Sequence, residues 1–291
     1  MSALFISSHP SASSAAGLKK VVAVSRFDNK SAWRGQWQLD DGMSDQLTDA
    51  LMQSGQFTVL ERETLGDVIG EQDLAASGRT MKSKSARTGK LTSAQILIKG
   101  AITEFQSNSS GSGAGIKIRG ISLGSKKGEA HVGLIIRMIN TTTGEVIASE
   151  RVEGKAKAGG FNLGLDIGSV GFGTSSFKKT PLGKATQIAI DNAVEIIAST
   201  LRELPYQGRV IKVSGEEVYL SAGERNGASV GDEFRVYTVG EELVDPDTGE
   251  MLGSEEEEIG RVKIYKVAEK YSKARPVGSV EGISKGSIIR H

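Results

Sequence analysis

Between residues 116 and 167 the side chains alternate with a period of two, and no other feature restricts the possible folds as much. Ile116 and Ile118 alternate with Lys117 and Arg119. After a turn-like Ser125-Lys126-Lys127-Gly128, Val132, Leu134, Ile136 and Met138 return with Gly133 and Arg137 between them. A helix would scatter these apolar residues around its circumference, whereas a strand puts them on one face. Residues 112–139 are therefore expected to form one long antiparallel hairpin. A second is expected over 152–177. There Lys155 and Lys157 alternate with Ala156 and Ala158, and after Gly159-Gly160 the apolar set shifts frame to Phe161, Leu163, Leu165 and Ile167, as at a β-bulge. Sixteen of the 37 glycines lie between residues 100 and 175, with only 5 prolines in the chain, so glycine belongs here to structured strands and not to a linker.

The flanking segments have other periods. A Ser/Ala-rich flexible tail over 1–17 leads to Val21-Val22-Ala23-Val24, a buried-strand pattern ending at Arg26-Phe27. Met43, Leu47, Ala50 and Leu51 make an amphipathic helix stopping near Gly55, residues 57–60 a second strand, and Leu65, Val68, Ile69 and Leu74 a second helix closed by Gly78. Ile96 to Ile102 reads as a third strand. Ile188, Ile190, Val194, Ile197 and Leu201 form a strongly amphipathic helix ended by Pro205. Residues 205–291 lack helical periodicity and carry strand patterns at 209–213, 218–221, 233–239, 259–268 and 271–277, as a small all-β barrel would. The fold class is α+β: an α/β unit with two long hairpins over 18–204, followed by the barrel.

Composition removes several classes of function. With 36 Lys+Arg against 35 Asp+Glu the net charge is +1, so no global basic field favours nucleic acid. Cysteine is absent, excluding disulfides, thiolate metal sites and thiol nucleophiles. No apolar run reaches the roughly 18 residues of a transmembrane helix, although strands of about 9 to 11 residues, as in these hairpins, can cross a bilayer in a barrel. Ala3-Leu4-Phe5-Ile6 is too short for a signal-peptide core of about 7 to 15 residues.

Catalytic constellations are scarce. His9, His131 and His291 are far apart, and Gly111-Ser-Gly113-Ala-Gly115 precedes a strand and not the helix N-terminus that a phosphate-binding loop needs. Asp245-Pro-Asp247-Thr-Gly249-Glu250, with Glu256 beyond, reads better as a turn between strands than as a calcium loop, because its glycine is at the fifth place and no helices flank it. No catalytic residue, metal or cofactor is expected. The hairpins' alternation fits equally a lipid-facing barrel wall and a soluble sheet packed on a helix.

Four blocks then carry a resemblance: Val21-Val22-Ala23-Val24; Ala50-Leu51 leading to Phe57-Thr-Val-Leu60-Glu61-Arg62; Leu91-Thr-Ser-Ala94-Gln-Ile-Leu-Ile98-Lys-Gly100-Ala-Ile102; and Asn140-Thr-Thr-Thr-Gly144-Glu145-Val-Ile147-Ala-Ser149. In order and spacing these resemble the curli secretion channel (CsgG) family over about residues 18–203. The resemblance implies a ring-shaped, nonamer-like homo-oligomer in the outer membrane facing the periplasm. Each protomer's α/β domain would form a vestibule and give two hairpins to one shared transmembrane barrel that exports polypeptide or another polymer. Ile116, Ile118, Val132, Leu134, Ile136, Phe161, Leu163, Leu165 and Ile167 would then face the membrane. The family's constriction loop falls on Trp33, Arg34, Gly35, Gln36 and Trp37; Arg34 and Gly35 stand where the family has Asn and Phe, and the tryptophans could equally pack at protomer interfaces. The family's lipid-bearing Cys has no counterpart in these 291 residues. Residues 206–291 resemble the C-terminal domain of the flagellar assembly protein T family, through Gly227-Ala-Ser-Val-Gly231-Asp232 and Asp245 to Glu250 with Ile259-Gly260. The alternative expectation is a soluble or peripheral periplasmic scaffold ring at a surface appendage, with accessory envelope proteins as partners.

Overall fold

The computed structural model describes residues 18–34, 37–81, 86, 88–89, 91–110, 116–118, 121–123, 127–157, 171–249, 251–278 and 281–291. Contacts divide them into two units, Lys19–Pro205, and Leu18 together with Tyr206–His291.

The first unit opens with β1 (Lys20–Asn29), α1 (Leu39–Ser54), β2 (Phe57–Leu60), α2 (Leu65–Ala76) and β3 (Ile96–Ser110). Valines at the start of β1 favour an extended chain and are buried. In α1, Leu39, Met43, Leu47 and Leu51 recur on one face and are buried, and Gly55, left-handed at φ 65°, ends the helix. No residue of α2 is buried, and Val68, Ile69 and Leu74 are exposed. There follow β4 (Ile116–Ile118), β5 (Ile121–Leu123), β6 (Lys127–Asn140) and β7 (Val146–Lys157), then α3 (Ser175–Lys179) and α4 (Pro181–Glu203). Thr180 caps α4 by accepting a hydrogen bond from Gly183 N at 3.0 Å, and Pro181 supplies the first helical position. At the other end Lys20 Nζ, whose pKa burial lowers, donates to Leu204 O at 2.6 Å.

Five strands form one sheet in the order β2-β1-β3-β6-β7; β1 is parallel to both neighbours, and β3-β6 and β6-β7 are antiparallel. One face of the sheet is buried with α1 and α4, through Val22, Ile98, Ile102, Val132, Leu134, Ile136, Met138 and Val152. Helix α4 approaches β7 so closely that a Cβ on Gly154 would stand 1.9 Å from Ala185 O.

Here the expected first hairpin is corrected. On the side where the first hairpin was expected, the partner of Lys127–Asn140 is β3, in the register Ile98↔Met138, Ile102↔Leu134 and Ser110↔Lys127, while among the described residues Ile116–Ile118 pairs with Ile121–Leu123. The apolar alternation of 132–138 specifies a buried face but not which strand lies beside it. Ile96, Ile98, Ile102 and Phe105 supply a longer matching face under the same helices than Ile116 and Ile118 could. The second hairpin is corrected at its end: 175–179 is helical, with Phe177 buried. The bulge at Gly159-Gly160 lies outside the described residues.

The second unit holds β8 (Gln207–Ser214), β9 (Glu217–Leu220), β10 (Glu233–Val244), β11 (Met251–Val267), β12 (Ser272–Pro276) and β13 (Ile288–Arg290), a closed barrel in the order β10-β11-β12-β9-β8-β13. Val218, Leu220, Phe234, Val236, Val262, Ile264 and Ala274 fill it. The segment Asp245 to Gly249 joins β10 to β11 as a turn. Asp245 Oδ1 accepts from Asp247 N and Thr248 N, each at 2.8 Å, and Gly249 is left-handed at φ 71°.

Candidate functional site

The segment after β1 is bound to the sheet and to itself. Lys30 N donates to Ile102 O at 2.9 Å, Asn29 Oδ1 accepts from Ser31 N at 3.0 Å and Ser31 Oγ at 2.7 Å, and Ser31 Oγ accepts from Trp33 N at 3.3 Å. The two tryptophans stack on each other, centroids 5.2 Å apart at 19°. Phe105 from β3 meets both edge-on, and Phe172 and Phe177 close the cluster around Trp37. Offset and edge-to-face pairs of this kind add about 0.5–1.5 kcal/mol each beyond the area they bury.

This corrects the expected constriction at its two ends. Trp37, at 8% exposure, is part of its own protomer's core, and Trp33 packs half-buried on that core. Burial of Trp37 among four other aromatic side chains removes more apolar surface from water than projection from a loop would. The indole Nε1–H of Trp33 is enclosed with no acceptor among the described residues. Arg34 stays exposed and folds back, Nη1 donating to Ser31 O at 3.0 Å and Trp33 O at 2.9 Å. Gly35 and Gln36 lie outside the described residues.

Three of the expected membrane-facing residues are corrected likewise. Val132, Leu134 and Ile136 are fully buried in the core that includes α4, because they occupy the helix-covered face of β6. Ile116 and Ile118 are strand residues of the β4–β5 pair; Phe161, Leu163, Leu165 and Ile167 lie outside the described residues. Phe172 and Phe177, which the residue pattern did not single out, are the parts that tie the Trp33–Trp37 segment to the start of α4.

At the same level, the opposite face of the sheet carries a ladder of charges. His131 on β6 stands between Glu104 on β3, with Nδ1 to Oε2 2.7 Å, and Glu153 on β7, with Nε2 to Oε2 3.3 Å. Arg151 bridges Glu104 and Glu153, and Lys155 Nζ is 2.9 Å from Glu153. Hydrogen bonds from Lys155 and Arg151 hold the Glu153 carboxyl down at about 2. Because the folded group titrates below its ordinary value of 4.5, the unfolded chain takes up the proton first. The ladder's contribution is complete above about pH 4.5 and is lost as pH falls towards 2. Thermal melts between pH 7 and pH 2.5 should show this loss in the α/β unit, and Glu153→Gln should flatten it; an unchanged slope in the variant would remove Glu153 from the ladder.

Among the described residues no three His, Asp or Glu side chains gather as a metal site, and no helix is long and apolar enough to cross a membrane, which leaves strands open.

The chain was compared with known proteins. The family described as curli production assembly/transport component CsgG matches residues 6–225. The curated proteins of that name from Escherichia coli K12 and Salmonella typhimurium LT2 are each 27% identical over 107 residues, covering 35% of this chain. The chain thus spans about two fifths, 39%, of those relatives. Among solved structures, a hypothetical protein of Chlamydia trachomatis is similar with a TM-score of 0.42 and 16% identity, covering 63% of this chain and 98% of that one. A lipoprotein of Neisseria meningitidis is similar with a TM-score of 0.31 and 14% identity, covering 62% and 99%.

Proposed function

The chain belongs to the curli production assembly/transport component CsgG family, and from that premise we propose that it is one subunit of a ring-shaped outer-membrane channel that exports polypeptide or another extended polymer without nucleotide hydrolysis. The observation that carries this reading is the length of the β3–β6 ribbon. Burial under the helices ends at Phe105 and Ala130, yet pairing continues through Asn108↔Glu129 to Ser110↔Lys127. Strands Ile96–Ser110 and Lys127–Asn140 thus run past the helical cover, and the channel reading puts the bilayer crossing at that end of the ribbon, where a tilted transmembrane strand needs about 9–11 residues. The second hairpin of this reading is the one expected from the sequence around 152–177, of which residues 158–170 lie outside the described residues.

In this account the Trp33–Trp37 cluster is the rigid base of the constriction, and residues 34–36 are its rim. Positioning the rim on a packed core keeps the opening constant from one protomer to the next. A ring of exposed Arg34 side chains would favour anions at the narrowest point. Arg34→Glu should therefore reverse the anion-over-cation preference, measured as the sign of the reversal potential in a salt gradient; an unmoved reversal potential would take Arg34 out of the lumen.

One observation favours a second reading, a peripheral envelope ring without a membrane barrel: both tryptophans are held in the protomer and offer no aromatic ring to a lumen. Electron microscopy of the protein after detergent and detergent-free extraction separates the two. The channel reading expects rings only in the detergent fraction, and rings in the detergent-free fraction would reject it.

A further inference from the structure

The barrel's outer wall, formed by β11, β12, β9 and β8 in that order, carries a compact set of aromatic and cationic side chains. Val218, Leu220 and Ala274 point into the barrel, so Tyr219, Lys273 and Arg275 alternate outward. Lys273 and Lys212 are cross-strand partners of Tyr219 on either side, with Nζ 4.9 and 5.6 Å from its ring centroid. Tyr271, 40% exposed, stacks beside Tyr219 at 6.0 Å, and the Arg275 guanidinium lies 4.9 Å over Tyr265.

A single carboxylate organises the set. Glu217 accepts from the hydroxyl of Tyr265, from Tyr219 Oη at 3.2 Å and from Lys273 Nζ at 3.0 Å, and these bonds hold its carboxyl at about 2. Lys212 and Arg275 have no carboxylate partner among the described residues. Exposed cation–π contacts are worth only about 0.5–1 kcal/mol each, so folding alone gives little reason to gather three cations and three phenols on one wall. Flat rings flanked by unneutralised cations suit a ligand with a C–H face and negative charges, which describes a pyranose bearing a carboxylate. Three donors already use most of the roughly four acceptor positions of Glu217, which leaves about one for a hydroxyl donor, as a sugar offers.

We propose that this wall is a binding site for an acidic polysaccharide, with Tyr271 as the exposed stacking ring supported by Tyr219, Lys212 and Arg275 as carboxylate ligands and Glu217 as a hydroxyl acceptor. The site is independent of whether the α/β unit forms a channel.

Calorimetric titration of the full chain with polygalacturonate tests it, with dextran as the neutral glycan and a thirty-nucleotide oligothymidylate as the phosphodiester. Polygalacturonate should bind and dextran should not. Tyr219→Ala and Lys212→Glu should each weaken binding about tenfold or more, Tyr219→Phe should retain most of it, and Lys285→Glu, on a loop before β13, should change it less than twofold. Lys212 is exposed, so its variant keeps the test valid if Tyr219→Ala misfolds. Equal binding of dextran, tighter binding of the oligothymidylate, no binding of polygalacturonate, or equal losses in Lys212→Glu and Lys285→Glu would each overturn the proposal.

Discussion

Replacing Trp37 by alanine should destabilise the α/β unit by about 3–5 kcal/mol, the range for removing a large aromatic from a core. The indole packs against Trp33, Phe105, Phe172 and Phe177, which come from three separated stretches of chain, so the void cannot close without moving the segment after β1, strand β3 or the stretch around α3. The chain has only two tryptophans and both lie in this cluster, so in Trp37→Ala the fluorescence of Trp33 reports the unfolding of that unit alone. Its denaturation midpoint should fall steeply while the barrel's transition, followed by tyrosine absorbance or circular dichroism, stays in place. Trp33→Ala should cost less, because Trp33 is only half-buried. A loss below about 1 kcal/mol in Trp37→Ala would place the indole outside the core, since that is the level of an ordinary surface change.

Gly154→Ala should be the second severe lesion, despite adding one methyl group. Its Cβ would lie 1.9 Å from Ala185 O and 2.6 Å from Ala189 N, and both are helix backbone atoms that no rotamer change can move aside. Helix α4 would have to lift from β7, breaking contacts along both, so the loss should reach or exceed the about 1–3 kcal/mol usual for overpacking. The contrast is Gly70→Ala within α2, where an added Cβ meets nothing within 4 Å. That change should stabilise by about 0.5–1 kcal/mol through helix propensity. Equal effects of the two substitutions, read from chemical denaturation, would mean that the α4–β7 contact is looser than described.

The same contacts show what the residue pattern could and could not disclose. The first strand and helix were legible because Val21 to Val24 form a continuous apolar run, while Met43, Leu47 and Leu51 repeat with a helical period that ends at a recognisable stop, Gly55. The start of α4 lies upstream of where the apolar period from Ile188 put it, at the Thr180 cap with Pro181 in the first helical position. The partner of β6 was not legible, since β3 and residues 116–118 share the same alternation and only the tertiary cover by α1 and α4 distinguishes them. The aromatic cluster was hidden for a related reason. Trp33 and Trp37 stood out by type, but Phe105, Phe172 and Phe177 reach them only through folding. The glycine excess gained a second explanation: Gly154 and Gly183 are sites of close backbone approach, Gly183 with a Cβ position 2.0 Å from Phe177 O.

The β3–β6 ribbon continues past the helical layer, and the channel account gives it a bilayer to cross. Planar-bilayer recording from the detergent-extracted oligomer tests that account most directly. It predicts a large, steady conductance from each inserted ring, abolished when residues 111–126 and 158–170 are replaced by short Gly/Ser loops while the α/β unit remains folded. Absence of conductance from intact, correctly folded rings, or a conductance unchanged by removing both segments, would contradict it.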